Sequence, residues 1–270
     1  MAYANFKPTI WSKYIQHELE KKAILLDSCW RQFEGEVANA REVKVLGVSK
    51  PSIGNYTGAS IGTPETLTDS SITMPIDKAK YFNFMVDDVD KAQSVPGLME
   101  ALMKEATLAM ALQADSDIAA LAANAGETSS SLQINSADTA IAAIDAGIVA
   151  LRENDVQISD ELVIELPPFV YRYLKDKYIA LDTNNSTLIA KGIVGMYDGC
   201  KVRISNNLYN DGTDYYAMIR TPKAIAFANQ IDKVEAFRPE TLFSDAVKGL
   251  HLYGCKVVRP KELYAIKVHK

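Results

Sequence analysis

The sequence predicts an α+β chain, and three stretches predict it. Residues 97–126, GLMEALMKEATLAMALQADSDIAALAANAG, contain no proline and consist almost wholly of strong helix formers. Residues 41–48 and 72–86 alternate apolar and polar side chains with period two, the pattern of half-buried strands. Residues 232–270 read as strand nearly throughout, interrupted at Pro239 and Pro260. Between the long helix and these closing strands, residues 127–230 alternate strand and helix and read as a compact α/β lobe.

The helical stretch is opened by Val95-Pro96-Gly97 and closed by Asn124-Ala125-Gly126, the expected punctuation. Its length, roughly 40 Å at 1.5 Å per residue, exceeds what a compact domain usually needs. Leu98, Leu102, Glu105, Ala109, Leu112 and Ser116 recur at helical spacing, with Met99, Met103, Ala106, Met110 and Gln113 beside them. The apolar positions make a broad face. This is either an ordinary core helix or a spine with a sheet laid along one side.

Composition narrows the function classes. The 270 residues are 48% hydrophobic and 23% charged, globular values with enough chain for a sizeable core. A net charge of -5 argues against nucleic-acid binding by bulk charge. The first residues lack the basic start and apolar run of a signal peptide, and no uncharged apolar stretch is long enough to span a membrane. The cysteines, Cys29, Cys200 and Cys255, are far apart and form no CxxC pair. Free, buried thiols in a reducing compartment are expected. His17, His251 and His269 are equally scattered, so no metal site is expected.

Taken in order, residues 6–26 carry a candidate helix and the aromatics Phe6, Trp11 and Tyr14; this segment packs on its own domain or on a neighbour. Val43 and Val45 share one face of the first strand, opposite Glu42 and Lys44. Residues 50–71 are rich in Gly, Ser, Thr and Pro and form a long excursion, and loops of that length are usually functional or mobile. With residues 72–86 it reads as a long hairpin around a projecting loop. Asp87, Asp88 and Asp90 form either an acidic site or the acidic lead-in to a helix; they lack the spacing of a calcium loop. Residues 136–151 form a helix with Ile141, Ile144, Ile148 and Leu151 in register, and residues 162–166 a buried strand stopped by Pro167-Pro168. A helix over 169–178, turns at Tyr197-Asp198-Gly199 and Arg238-Pro239-Glu240-Thr241, an apolar stretch over 224–230 and strands at 215–220, 234–237, 250–258 and 263–268 complete the reading. No hydrolase, metalloprotease, dinucleotide or phosphate-loop motif is present, so neither catalytic residues nor cofactors are expected.

The order of parts resembles the major capsid proteins of tailed bacteriophages, with the Hong Kong 97 capsid fold. The resemblance is carried by FKPTIWSKYI, MPIDKAKYFNFMVDDVDKAQ, IVGMYDGCKVRISNNL and RTPKAIAFANQIDKVEAFRPETLFSDAVKGLHLYGCKVVRPKEL, and it covers nearly the whole chain. It implies an N-arm over 1–35, an extended loop (E-loop) hairpin over 36–80, a peripheral domain over 81–126 and 232–270, and an axial domain over 127–231. It implies intersubunit contacts at Phe6, Trp11, Tyr14, Ile53, Tyr56, Ile61, Leu67, Arg238 and Glu240. It further implies pentamers and hexamers of an icosahedral head shell that encloses double-stranded DNA without sequence-specific binding, a portal, and assembly in the host cytoplasm. Two alternatives stand beside it: an encapsulin-like compartment, which shares the fold, and a two-lobed α/β enzyme using the acidic cluster.

Two departures shape the expectation. Some relatives weld subunits through a Lys–Asn isopeptide bond assisted by a Glu, but the matching stretches here, FSDAVKG and LYGCKV, hold neither Asn nor Glu. Some carry a long cleaved scaffolding segment, whereas this arm begins at Met1, so a separate scaffolding protein is expected. Assembled shells heated in detergent should therefore run as one monomer band; a ladder above it would refute the noncovalent reading.

Overall fold

The computed structural model describes residues 23–32, 41–48, 51–53, 55, 69–87, 98–156, 161–178 and 193–270. In chain order these form β1 (Glu42–Val48), β2 (Asp69–Pro75), β3 (Lys78–Asp87), α1 (Leu98–Ala120), β4 (Glu127–Thr128), β5 (Leu132–Gln133), α2 (Ala137–Glu153), β6 (Val163–Leu166), α3 (Pro168–Tyr178), β7 (Ile193–Tyr197), β8 (Cys200–Ile204), β9 (Tyr215–Arg220), β10 (Ile225–Phe237), β11 (Ser244–Val257) and β12 (Leu263–His269). The α+β class is what the sequence predicts.

A seven-stranded mixed sheet runs in the order β4-β12-β9-β6-β8-β7, with β5 also pairing to β12. Its central strands bury both faces, so they read as continuous apolar runs. On β9, Ala217 and Ile219 join the core under α2 and α3, while Tyr216 and Met218 join the core under α1. On β12, Ile266 and Val268 face the first core, and Leu263 and Ala265 the second. Helix α2 fits because Ala140, Ala143, Ile144, Gly147, Ile148 and Leu151 form one buried stripe. Ser136 and Thr139 close a reciprocal capping box at its start, which satisfies two end donors. Helix α3 follows the strand that Pro167-Pro168 stops, with Pro168 at its first position.

A second sheet is three-stranded and antiparallel, in the order β10-β11-β3. Residues 224–230 and 234–237, read separately in the sequence, are one long strand. A bulge between Asn229 and Ile231 resets the register and lets the strand continue. Likewise β11 begins at Ser244 rather than near Leu250. The ribbon read over 72–86 is cut at Ile76-Asp77: β2 pairs with β1, whereas β3 pairs with β11. Buried Ile76 marks the crossover, its amide donating to the Arg41 carbonyl at 2.9 Å. The final strand, expected beside the other closing strands, is hydrogen-bonded to β9 in the seven-stranded sheet.

The long helix ends at Ala120 and tightens into a 3-10 turn over Leu121–Asn124, short of the expected Gly126. Only its C-terminal half is deeply packed: Ala114, Ile118 and Ala119 are buried, while Leu102 and Leu108 are exposed. The broad apolar face thus serves the core along part of its length. The candidate helix over 6–26 lies outside the described residues except for its last four, which lead into a 3-10 turn over Leu26–Ser28.

Where β11 crosses the β2–β3 junction the backbones nearly touch. A Cβ at Gly254 would stand 2.4 Å from the Pro75 carbonyl oxygen, which is fixed backbone. Gly254→Ala is therefore expected to lower the stability of the unassembled chain by about 2 kcal/mol, measured by urea denaturation. An unchanged midpoint would contradict this packing.

Candidate assembly surface

A buried polar clasp joins the large sheet, α1 and the segment before β1. Arg220, at the end of β9, donates through Nε and Nη2 to both carboxylate oxygens of Glu165 on β6, at 3.0 and 2.9 Å. Both side chains are fully buried. Burial pulls the Arg220 pKa down, and the Glu165 carboxylate more than reverses this, so the guanidinium stays charged. Nη1 donates to the Ser28 carbonyl (2.6 Å), and Nη2 also reaches the Leu25 carbonyl (3.1 Å) and the Ser28 hydroxyl oxygen (2.6 Å). From α1, Asp115 accepts from the Leu25 and Leu26 amides at 2.7 and 3.1 Å and from Asn207 at 3.1 Å. Burial pushes the Asp115 carboxyl above its ordinary value, against the lowering by Asn207 and these amides. The clasp ties the root of the arm to α1 and to the centre of the large sheet. It was not read from the sequence, since its members are scattered; the signal was Glu165 inside the apolar run LVIEL.

The three-stranded sheet has two unlike faces. Phe82, Val234 and His251 point toward Thr107, Met110 and Ala114 of α1 and line a cavity of about 350 Å³ with them. The opposite face carries three cross-strand rows. Tyr81, Leu250 and Lys233 make one; Asn83, Lys248 and Glu235 the next; Met85, Ala246 and Phe237 the third. Tyr81 is 80% exposed, and Met85, Phe237 and Leu250 are exposed too. Between the apolar rows runs a charge ladder: Lys233 Nζ lies 2.5 Å and Lys248 Nζ 3.2 Å from the Glu235 carboxylate. The Lys233 hydrogen bond, then that from Lys248, holds the Glu235 carboxyl below its ordinary range. Lys248 also sits 5.3 Å from the centre of the Phe237 ring. The alternation over 72–86, with Tyr81, Asn83 and Met85 on one side, was the sequence signal for this face.

The turn joining β10 to β11 forms a tip. Phe243 is 83% exposed and Leu242 is exposed beside it. Arg238 Nη1 lies 3.8 Å from Asp245 Oδ1, and Glu240 is exposed on the same turn. Of the sequence-predicted contact residues, Arg238 and Glu240 thus share one tip with two apolar residues that the reading missed. Ile53 is 96% exposed and is not brought near them by any described contact. Phe6, Trp11, Tyr14, Tyr56, Ile61 and Leu67 lie outside the described residues. In the acidic cluster, Asp87 pairs in register with Ser244, whereas Asp88 and Asp90 lie outside the described residues.

Burial pushes the Cys29 and Cys200 thiols up to about 11 and the Cys255 thiol up to about 12. All three are buried and unpaired by disulfide, so they act as small apolar side chains. Among the described residues no group of His, Cys, Asp and Glu could hold a metal ion, and no helix is long and apolar enough to cross a membrane.

A family model described as phage capsid protein matches residues 69–266. The chain belongs to that family. Among curated proteins nothing matches it. Among solved structures it is similar to a chain of Mycobacterium phage Che8, 28% identical, covering 98% of each chain at a TM-score of 0.82. It also resembles the capsid structure of cyanophage P-SCSP1u, at 14% identity, a TM-score of 0.77 and coverage of 98% and 94%. The mature capsid of bacteriophage PhiM1 matches at 15% identity and a TM-score of 0.71, covering 98% of this chain and 92% of that one. These last two likenesses concern the fold, which is the Hong Kong 97-like capsid fold. As a phage capsid protein, the chain is a structural subunit of the virion shell that assembles with copies of itself and is not an enzyme. Nothing favours the encapsulin or enzyme alternatives.

The clasp itself can be tested directly. Glu165→Gln keeps the shape but leaves the buried Arg220 charge uncompensated. It is expected to cost about 3 kcal/mol in thermal or urea unfolding of the capsid protein. A cost within error of zero would show that the pair is dispensable.

Proposed function

We propose that the β10–β11 tip and the outer face of the three-stranded sheet are contact surfaces between shell subunits. The observation that carries this is the exposure of Tyr81, Met85, Phe237, Leu242 and Phe243 around an ordered charge ladder. Apolar patches rimmed by polar groups mark interaction sites. Residues 127–231 are the axial domain at the centre of a pentamer or hexamer; β12 joins it, as its pairing with β9 supports. Residues 81–126 and 232–262 make the peripheral domain, with the tip at its far end. Residues 36–80 lie as an extended loop over a neighbouring subunit, contributing Ile53, Tyr56, Ile61 and Leu67. Residues 1–35 form an arm that places Phe6, Trp11 and Tyr14 on a neighbour.

The shell is assembled noncovalently in the host cytoplasm, with a separate scaffolding protein and a portal, and encloses double-stranded DNA. The net charge of -5 supports containment of DNA over tight binding to phosphates. Phe243→Asp tests the tip. It is expected to leave the unassembled chain folded, by circular dichroism, while cutting shell yield about tenfold or more in electron microscopy and light scattering. Wild-type shell yield from Phe243→Asp would remove the tip from the interface.

A further inference from the structure

Residues Ile24–Trp30 are held the way a protein holds a bound peptide. The Ile24 carbonyl accepts from Arg203 at 2.8 Å, and the Leu25 and Leu26 amides donate to Asp115. The Leu25 and Ser28 carbonyls accept from Arg220, and the Ser28 hydroxyl donates to Glu165 at 2.7 Å. Trp30 adds a parallel bridge: its amide donates to the Ile225 carbonyl at 2.9 Å, and its carbonyl accepts from Phe227 at 3.0 Å. Leu25 is the apolar anchor, with no exposed surface. The side-chain partners of this strap lie 89 to 195 residues away, on α1, β6, β8 and β9. The acceptor groove is therefore built wholly from the body of the protein, and nothing in it depends on which chain supplies the strap. Emptied, it would leave Arg220 Nη1 and Asp115 Oδ1 without these partners, so it demands an occupant.

We propose that this groove is a peptide-acceptor site that takes the 24–30 strap of a second copy of the chain in place of its own. Adjoining shell subunits would thereby exchange arm roots. The acceptor and its ligand are present in every copy, the condition for exchange of identical elements. Copies packed side by side present the strap at high effective concentration. This neighbourhood rests on the shell reading; the groove itself does not.

The probe is a fluorescent peptide of residues 23–32, AILLDSCWRQ, added to unassembled full-length chain and followed by anisotropy. Leu25→Asp disables the chain's own strap and leaves the groove intact. The peptide is expected to bind this variant saturably, about tenfold or more tighter than wild type, whose groove is occupied. Adding Arg220→Met should abolish the binding. Should Leu25→Asp fail to fold by circular dichroism, Ser28→Ala, which keeps the Leu25 anchor, replaces it and should bind more peptide than wild type. A second arm mixes full-length Leu25→Asp chain, which supplies a groove, with full-length Arg220→Met chain, which supplies a strap. Shell yield above that of either variant alone is expected. Absence of peptide binding to a folded variant, equal binding to wild type, or binding that survives Arg220→Met would overturn the proposal. So would mixed yields no higher than the separate ones. Because the peptide arm is read on unassembled chain, its failure is distinct from a failure to form shells.

Discussion

The buried ion pair between Arg220 and Glu165 is the constraint on which the rest of the structure depends. Two full charges sit in the interior, at the centre of a sheet covered on both faces. Such a pair adds little net stability over well-packed apolar side chains, but either charge alone is costly. The arrangement resolves this by satisfying almost every donor. Arg220 directs Nε and Nη2 at Glu165, Nη2 also at the Leu25 carbonyl and the Ser28 hydroxyl, and Nη1 at the Ser28 carbonyl. The pair therefore dictates where the chain must run before β1 begins. Through Asp115 the same segment fixes α1 against the sheet. Three parts that share no sequence neighbourhood are set in position by one satisfied network.

That rigidity suits a subunit whose outer surfaces must meet copies of itself. The long strands β10 and β11 are exposed on one face and packed against α1 on the other. Their outer face mixes apolar rows with a Lys–Glu–Lys ladder. Ion pairs so exposed contribute little energy but hold side chains in register. Wrongly placed partners would set like charges against each other, which favours one docking geometry over others.

Much of the fold was legible in the sequence, for physical reasons that differ by element. The capping residue Ser136 and the spacing of Ile144, Ile148 and Leu151 announce α2 without help from tertiary structure. The alternation from Tyr81 to Val86 announces β3. What escaped was decided by distant partners. Nothing local tells that Ile76 is a crossover, because the choice between β1 and β11 as partner is made at long range, across more than 150 residues for β11. The bulge at Asn229 hid the unity of β10 by shifting the apolar phase. The residues proposed for subunit contact divide the same way. Arg238 and Glu240 were reachable from a turn motif carried by a family resemblance. The exposed Phe243 beside them was not, since an aromatic in a turn reads as core until its neighbours are seen. The clasp was least legible, being made from isolated polar residues that only the fold brings together.

The place of β12 has a consequence for synthesis. It lies inside the large sheet, flanked by β9 on one side and β4 and β5 on the other. Residues 127–133 and 215–220 are made long before the strand that joins them. Until β12 is in place, the edge strands β4 and β5 are separated from β9 and the core beneath α1 lacks Leu263 and Ala265. Completion of the large sheet therefore waits on β12: without it the facing edges of β4, β5 and β9 stay unpaired.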